Sequence, residues 1–236
     1  MVTLGGYALD VASPFSGEAV TRRVEVAGAS IEISLPPSAE DLIDEAEYAR
    51  DERLPYWAEL WPSARVLADE MARREIAGLR ILELGCGVAL PSIVALRHGA
   101  DPLATDWYDV ALEWASANAR RAAGRDLATM VVDWFQPPDA LVALAPFDLV
   151  IGADVLYESR NGGALLELLP GLVPPGGEAL IADPRRPDAA SLLAPLHQRG
   201  WTEDVREVQY EGPRDESGAV VRLHSLRRPD APGLRA

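Results

Sequence analysis

The residues of this chain that could do chemistry are three acids placed at the ends of apolar runs, one of them followed by a glycine turn. Glu83 lies in the run 81–84, which leads into Gly85-Cys86-Gly87 and then a helical stretch from Ala89. An apolar run entering a glycine turn that opens a helix is a ligand-binding arrangement. Glycine lets the backbone turn sharply and lets a flat ligand approach where a Cβ would collide. A dinucleotide fingerprint would need a further glycine at Leu90, whose bulk opposes close helix-strand packing, so NAD is disfavoured. Asp106 ends the next apolar run about 20 residues after the loop, where a carboxylate accepts both hydroxyls of a ribose. The same side chain could cap the helix that starts near Tyr108, and the two roles are compatible. Asp154 closes the apolar run 147–153 and Tyr157 follows three positions later. A carboxylate that ends such a strand sits at the carboxyl edge of the sheet, where open α/β proteins bind ligands.

Positioning these acids requires a parallel sheet. From Leu79 onward, short apolar runs alternate with helical stretches, the pattern of βαβ units. Strands are expected over 80–84, 102–105, 128–132, 147–153 and 178–182, with helices over 89–98, 108–122, 158–169 and 188–199. The helices end at Gly99, near Gly124, before Pro170 and at Gly200. Two extended runs, 201–210 and 219–227, then form a terminal hairpin. The expected fold is α/β: a doubly wound, Rossmann-like seven-stranded sheet, mostly parallel, with one strand of the C-terminal β-hairpin antiparallel. Ahead of it, 20–26 and 31–35 read as a short hairpin around Ala27-Gly28-Ala29. Ser38 and Asp41 form a capping box for a helix to about Arg50, and Pro62 opens a helix to Ile76 that Gly78 can end. These divide the chain into an N-terminal extension, 1–60, and a sheet domain, 61–236.

Composition narrows the function classes. The 236 residues are 48% hydrophobic and 25% charged, as in ordinary soluble domains, and no apolar stretch reaches the roughly 20 residues that cross a bilayer. A formal charge of -15 repels phosphate backbones and anionic membranes, so neither nucleic acid nor membrane is an expected partner. All 22 basic residues are Arg, so the chain has no lysine of its own. The single cysteine, Cys86, excludes an internal disulfide and reads as a small residue tolerated in a tight loop. With no basic segment leading into an apolar run over 1–15, a cytoplasmic location is expected. His98, His197 and His224 are scattered, so no metal site is expected. The Arg pairs read as solvated faces, with Arg185 and Arg186 placed by position beside the acceptor end of the site.

The segment Glu83-Leu84-Gly85-Cys86-Gly87-Val88-Ala89 resembles the first motif of the class I S-adenosylmethionine-dependent methyltransferases, an acid followed by Gly-x-Gly-x-Gly, with Ala89 in place of the third glycine. The run 147–157, ending in Asp154-x-x-Tyr157, resembles that of the seven-β-strand protein lysine methyltransferases, once labelled nicotinamide N-methyltransferase-like. Pro55-Tyr56-Trp57-Ala58-Glu59-Leu60-Trp61-Pro62 and Asp133-Trp134 resemble two further segments of that family. Its branch acting on the electron-transfer flavoprotein β-subunit matches the Trp-x-x-x-Trp-Pro spacing best.

The resemblance implies S-adenosylmethionine as cofactor and S-adenosylhomocysteine as product. It implies that Gly85, Cys86 and Gly87 face the methionine part, Glu83 its amino group and Asp106 the ribose. Trp107, Asp133, Trp134, Ala153, Trp57 and Trp61 complete the cofactor side, and Asp154 and Tyr157 are the catalytic pair. Trp57 and Trp61, four apart, could equally be the buried stripe of one helix, Trp134 core packing and Asp133 a turn cap. The expected activity is N-methylation of a lysine on a protein partner. The alternatives are a small-molecule amine or heterocycle N-methyltransferase, and a catalytically silent binding module.

Overall fold

The computed structural model describes residues 19–39, 42, 54–157, 159–212 and 218–231. Two sheets are present: a two-stranded hairpin and a seven-stranded sheet. In the hairpin, β1 (Val20–Val26) and β2 (Ala29–Leu35) pair antiparallel from Val20↔Leu35 to Val26↔Ala29. The turn is therefore the two residues Ala27 and Gly28, both at positive φ (48° and 82°), rather than three. That handedness matches the twist of the flanking strands. Val24, Val26, Ile31, Ile33 and Leu35 are buried in the core that also holds α1 (Pro62–Arg73) and the sheet. At about 1.5–3 kcal/mol per fully buried aliphatic side chain, this face anchors the hairpin. Of the helix expected from Ser38 to about Arg50, all but residues 38, 39 and 42 lies outside the described residues.

The large sheet is built from β3 (Arg80–Leu84), β4 (Asp101–Asp106), β5 (Ala128–Val131), β6 (Leu149–Ala153), β7 (Glu178–Asp183), β8 (Thr202–Tyr210) and β9 (Ala219–Arg227). Their order is β5-β4-β3-β6-β7-β9-β8. β9 pairs antiparallel with both β7 and β8, so it alone opposes the other six, as the sequence pattern predicts. Helices α2 (Leu90–Arg97), α3 (Asp109–Ala123), α4 (Asp139–Leu144), α5 (Ser159–Leu172) and α6 (Ala189–Gln198) connect the strands. The chain builds outward from β3 through β4 to β5, then returns to pair β6 with the other edge of β3. This reversal leaves a crevice at the carboxyl ends of β3 and β6, where open α/β sheets take ligands.

Three boundaries differ from expectation. α1 ends at Arg73, because Arg74 is already extended (φ -91°, ψ 150°), and Gly78 (φ 78°) serves the turn into β3. α5 runs through Pro170 to Leu172. Proline there removes one hydrogen bond from the last turn, while Val173 N–H still donates to Leu169 O (3.0 Å) and Leu169, Leu172 and Val173 are buried. The six-residue α4 carried too little periodicity to be seen in the sequence. No helix among the described residues is long and apolar enough to cross a membrane.

Candidate active site

A cavity of about 440 Å³ occupies the crevice. Its size is in the range of small-molecule sites. All thirteen residues singled out in the sequence line it: Trp57, Trp61, Glu83, Gly85, Cys86, Gly87, Asp106, Trp107, Asp133, Trp134, Ala153, Asp154 and Tyr157. Tyr56, Phe135 and Arg186 line it as well, so Arg186 belongs to the site wall and not to a plain solvated face.

The glycine loop is held by main-chain geometry. Gly85 and Gly87 take φ of 62° and 51°, and Ala89, the departure from an all-glycine motif, takes 60° just ahead of α2. A Cβ on Gly87 would come within 3.1 Å of the Trp57 carbonyl oxygen, so this glycine is required by the close approach of the Trp57 backbone. Trp57 sits in a short 3-10 turn, Tyr56–Ala58. Trp61 is extended before Pro62, as residues preceding proline are, and its Nε1 donates to Tyr56 O (2.9 Å). The two tryptophans are thus not a stripe on one helix but two walls of one cavity.

Two carboxylates stand beside the loop. Asp106 accepts from Gly87 N–H at Oδ2 (2.9 Å) and from Tyr108 N–H at Oδ1 (3.0 Å), which ties the loop to the end of β4. It does not cap α3 directly: the helix begins at Asp109, with Tyr108 as its cap residue. Glu83, 1% exposed, accepts Ser92 N–H at Oε2 (3.0 Å) in the first turn of α2. Burial pushes its carboxyl up to about 8, opposed by the bonds from Ser92 and reinforced by the nearby Asp106 charge. Burial likewise raises Asp106, against the backbone N–H groups of Tyr108 and Gly87. The Cys86 thiol is raised well above its ordinary value by burial and by the same two acids, so it is no nucleophile at neutral pH. Asp133 caps its own turn, accepting Phe135 N–H (2.9 Å), and Trp134 packs against Gly85, so both also have local duties.

At the other end of the cavity Asp154 leaves β6 at φ 56°, a conformation costly for a residue with a side chain and frequent at functional sites. Its N–H donates to Ala182 O (2.8 Å), which locks the turn. Its carboxylate is not free: Arg186 Nε donates to Oδ1 (2.9 Å) and Nη2 to Oδ2 (2.8 Å). Burial raises the Asp154 carboxyl even against that guanidinium. Tyr157 stands beside it at 39% exposure. Its ring is edge-on to Tyr56, with centroids 5.5 Å apart, and Tyr56 is edge-on to Trp61 at 6.1 Å. The importance of Tyr56 was not visible in the sequence, since nothing there pairs it with Tyr157.

The donor set suits the expected cofactor. The carboxyl groups of Glu83 and Asp106 can accept N–H and O–H groups, and Trp134 and Phe135 add aromatic surface to the same cavity. Among the described residues no cluster of His, Cys, Asp and Glu could hold a metal.

A doubly wound sheet with this switch-point cavity defines a class of ligand-binding α/β proteins, and the comparisons specify it. A family profile described as a methyltransferase domain matches residues 48–228. A protein N-lysine methyltransferase of Danio rerio is 34% identical over 170 residues, which cover 69% of this chain and 76% of that protein. A histone-arginine methyltransferase of Xenopus laevis is 31% identical over 112 residues, covering 45% of this chain and 47% of that protein, about half its length. Among solved structures, the N-methyltransferase NodS from Bradyrhizobium japonicum in complex with S-adenosylhomocysteine shares the fold. Its TM-score is 0.55 at 20% identity, covering 81% of this chain and 96% of that one. The chain belongs to this methyltransferase domain family and is an S-adenosylmethionine-dependent methyltransferase.

Proposed function

We propose that the chain is a protein-lysine N-methyltransferase, with residues 1–60 an extension to the catalytic domain 61–236 that contributes the wall around Tyr56 and Trp57. The observation that carries the reading is the acceptor end of the cavity. There Asp154 is buried, and Tyr56 and Tyr157, 41% and 39% exposed and edge-on to each other, form one side of the described part of the mouth. Such a mouth suits a narrow side chain that reaches in from a larger partner. The similarity to a protein N-lysine methyltransferase supports the same choice.

Each residue then has a role. Glu83 faces the cofactor's amino group, and Asp106 its ribose. The Gly85 to Gly87 loop admits its methionine part, with Trp57, Trp61, Trp107, Asp133, Trp134 and Ala153 lining the remainder. When bound, S-adenosylmethionine supplies an electrophilic methyl group on a sulfonium. Asp154 orients the acceptor nitrogen by accepting its N–H. Tyr157 and Tyr56 confine the alkyl stem, limiting the nitrogen to a narrow range of approach.

The experiment is calorimetric titration with S-adenosylmethionine and S-adenosylhomocysteine, then incubation with tritiated cofactor and a cell lysate and amino-acid analysis of the labelled protein. Binding and tritiated methyl-lysine are expected. Label found only in small molecules, or in methylarginine, overturns the lysine reading.

A further inference from the structure

The Asp154 carboxylate of the acceptor site already has a cation. Arg186 grips both oxygens in a fork, with Asp154 at 7% and Arg186 at 38% side-chain exposure. The grip is built from behind. Asp183, the last residue of β7 and fully buried, accepts the Arg186 backbone N–H at both carboxylate oxygens (3.1 Å each), and Arg185 between them turns at φ 65°. A surface arginine that met an acid by chance would need none of this.

The fork leaves Asp154 able to act. A carboxylate has about four lone-pair positions and two N–H bonds use only two of them, so an acceptor N–H can still be received. What changes is the charge. A buried, unpaired carboxylate facing a lysine would hold it as ammonium, which has no lone pair to give. The same carboxylate paired with a guanidinium presents hydrogen-bond acceptors with little net charge.

Resting on the lysine reading above, we propose that Arg186 is a positioning residue: by neutralising Asp154 it keeps the bound acceptor as a free amine, the form that can be methylated. The acceptor's proton leaves to solvent at the open end of the cavity, beside the half-exposed Tyr56 and Tyr157. Among the described residues the charged and titratable groups around the pair are few, and Tyr157 and Glu59 of the same cavity lining are two of them. Asp183 approaches from β7, with His224 of β9 behind it (Nε2 to Oδ2 3.9 Å), and Tyr56 faces Arg186 from the 3-10 turn. Arg185 points away toward Glu207 (4.0 Å), and Glu83 and Asp106 lie at the cofactor end. Arg186 is thus the cation in contact with Asp154.

The test compares the wild type with Arg186→Gln and Arg186→Lys at saturating S-adenosylmethionine. Tritiated methyl-lysine formed in a cell lysate is read from pH 6.5 to pH 9.5, and rates are expressed as variant over wild type so that the lysate's own pH response cancels. A single neighbouring charge shifts a pKa by about 1 to 3 units. The Arg186→Gln ratio should therefore be about tenfold or more below unity at pH 7 and rise only above the pKa of the lysine bound to the wild type, with Arg186→Lys restoring most of the neutral-pH rate. Calorimetric affinity for S-adenosylhomocysteine should be the same in all three proteins. An Arg186→Gln ratio near unity at pH 7, or a lysine variant no better than the glutamine one, overturns the assignment while leaving the lysine reading intact. Hydrolysates in which the wild type forms no methyl-lysine overturn the reading itself and the proposal with it.

Discussion

The two ends of the cavity are built by different means. At the glycine-loop end, side chains are held by main chain: Asp106 by the N–H groups of Gly87 and Tyr108, Glu83 by that of Ser92. At the far end, side chain holds side chain, with Asp154 in the fork of Arg186 and Tyr157 against Tyr56. Main-chain donors are fixed once the strand-loop-helix unit forms, so the first end is preorganised for one unchanging ligand. Side-chain pairs can exchange partners. The second end can therefore receive an N–H donor without rebuilding the backbone, which suits the end where we propose that a partner's side chain enters.

Substitutions at each end should separate the two functions. The largest effect is expected for Asp154→Ala, which removes the group proposed to orient the acceptor. Methyl transfer should fall by about 100-fold or more, in the range seen when a transition-state partner is deleted, while calorimetric affinity for the cofactor is unchanged. Lost cofactor affinity in that variant would mean the two ends are not independent. Asp106→Ala comes next and should do the reverse, weakening cofactor binding by at least about tenfold, since hydrogen bonds to a charged group contribute about 1.5–3 kcal/mol. Unchanged affinity would remove Asp106 from the cofactor side.

The smallest effect sharpens the comparison through pH. Glu83 is raised to about 8 from an ordinary 4.5, so between these values the folded protein holds a proton that the unfolded chain has released. Stability from this group is complete below the lower value and is lost as pH rises through the upper one. Glu83→Gln, which cannot ionise, should show a shallower decline of melting temperature from pH 5 to pH 8 than the wild type. Parallel declines would place the pH dependence on other acids.

Much of the first end was legible in the sequence because it is local. Glu83, Gly85, Gly87 and Asp106 all sit at strand ends or in the turn after one, and a strand followed by glycines and a helix can be read without knowing what packs nearby. Asp154 and Tyr157 were legible for the same reason. The partner of Asp154 was not. Arg186 lies 32 residues further on; its place after a strand put it near the acceptor end, but nothing along the chain pairs it with Asp154. Tyr56 stands in the sequence merely as part of a tryptophan-containing segment, although its ring contacts both Trp61 and Tyr157. Helix ends were also misread where packing overrode a local stop: Pro170 lies within a helix whose buried leucines hold the turn in place.

By itself the sequence determined the doubly wound sheet, its antiparallel final strand and the three acids at strand ends, because alternation of apolar runs and helices depends only on local pattern. Tertiary structure decided which charges meet. The pairing of β6 with β7 sets Asp154 beside the turn that carries Arg186, and Asp183 fixes that turn. Whether Asp154 is a bare carboxylate or half of an ion pair is a matter of distances across the sheet, and no spacing along the chain encodes them.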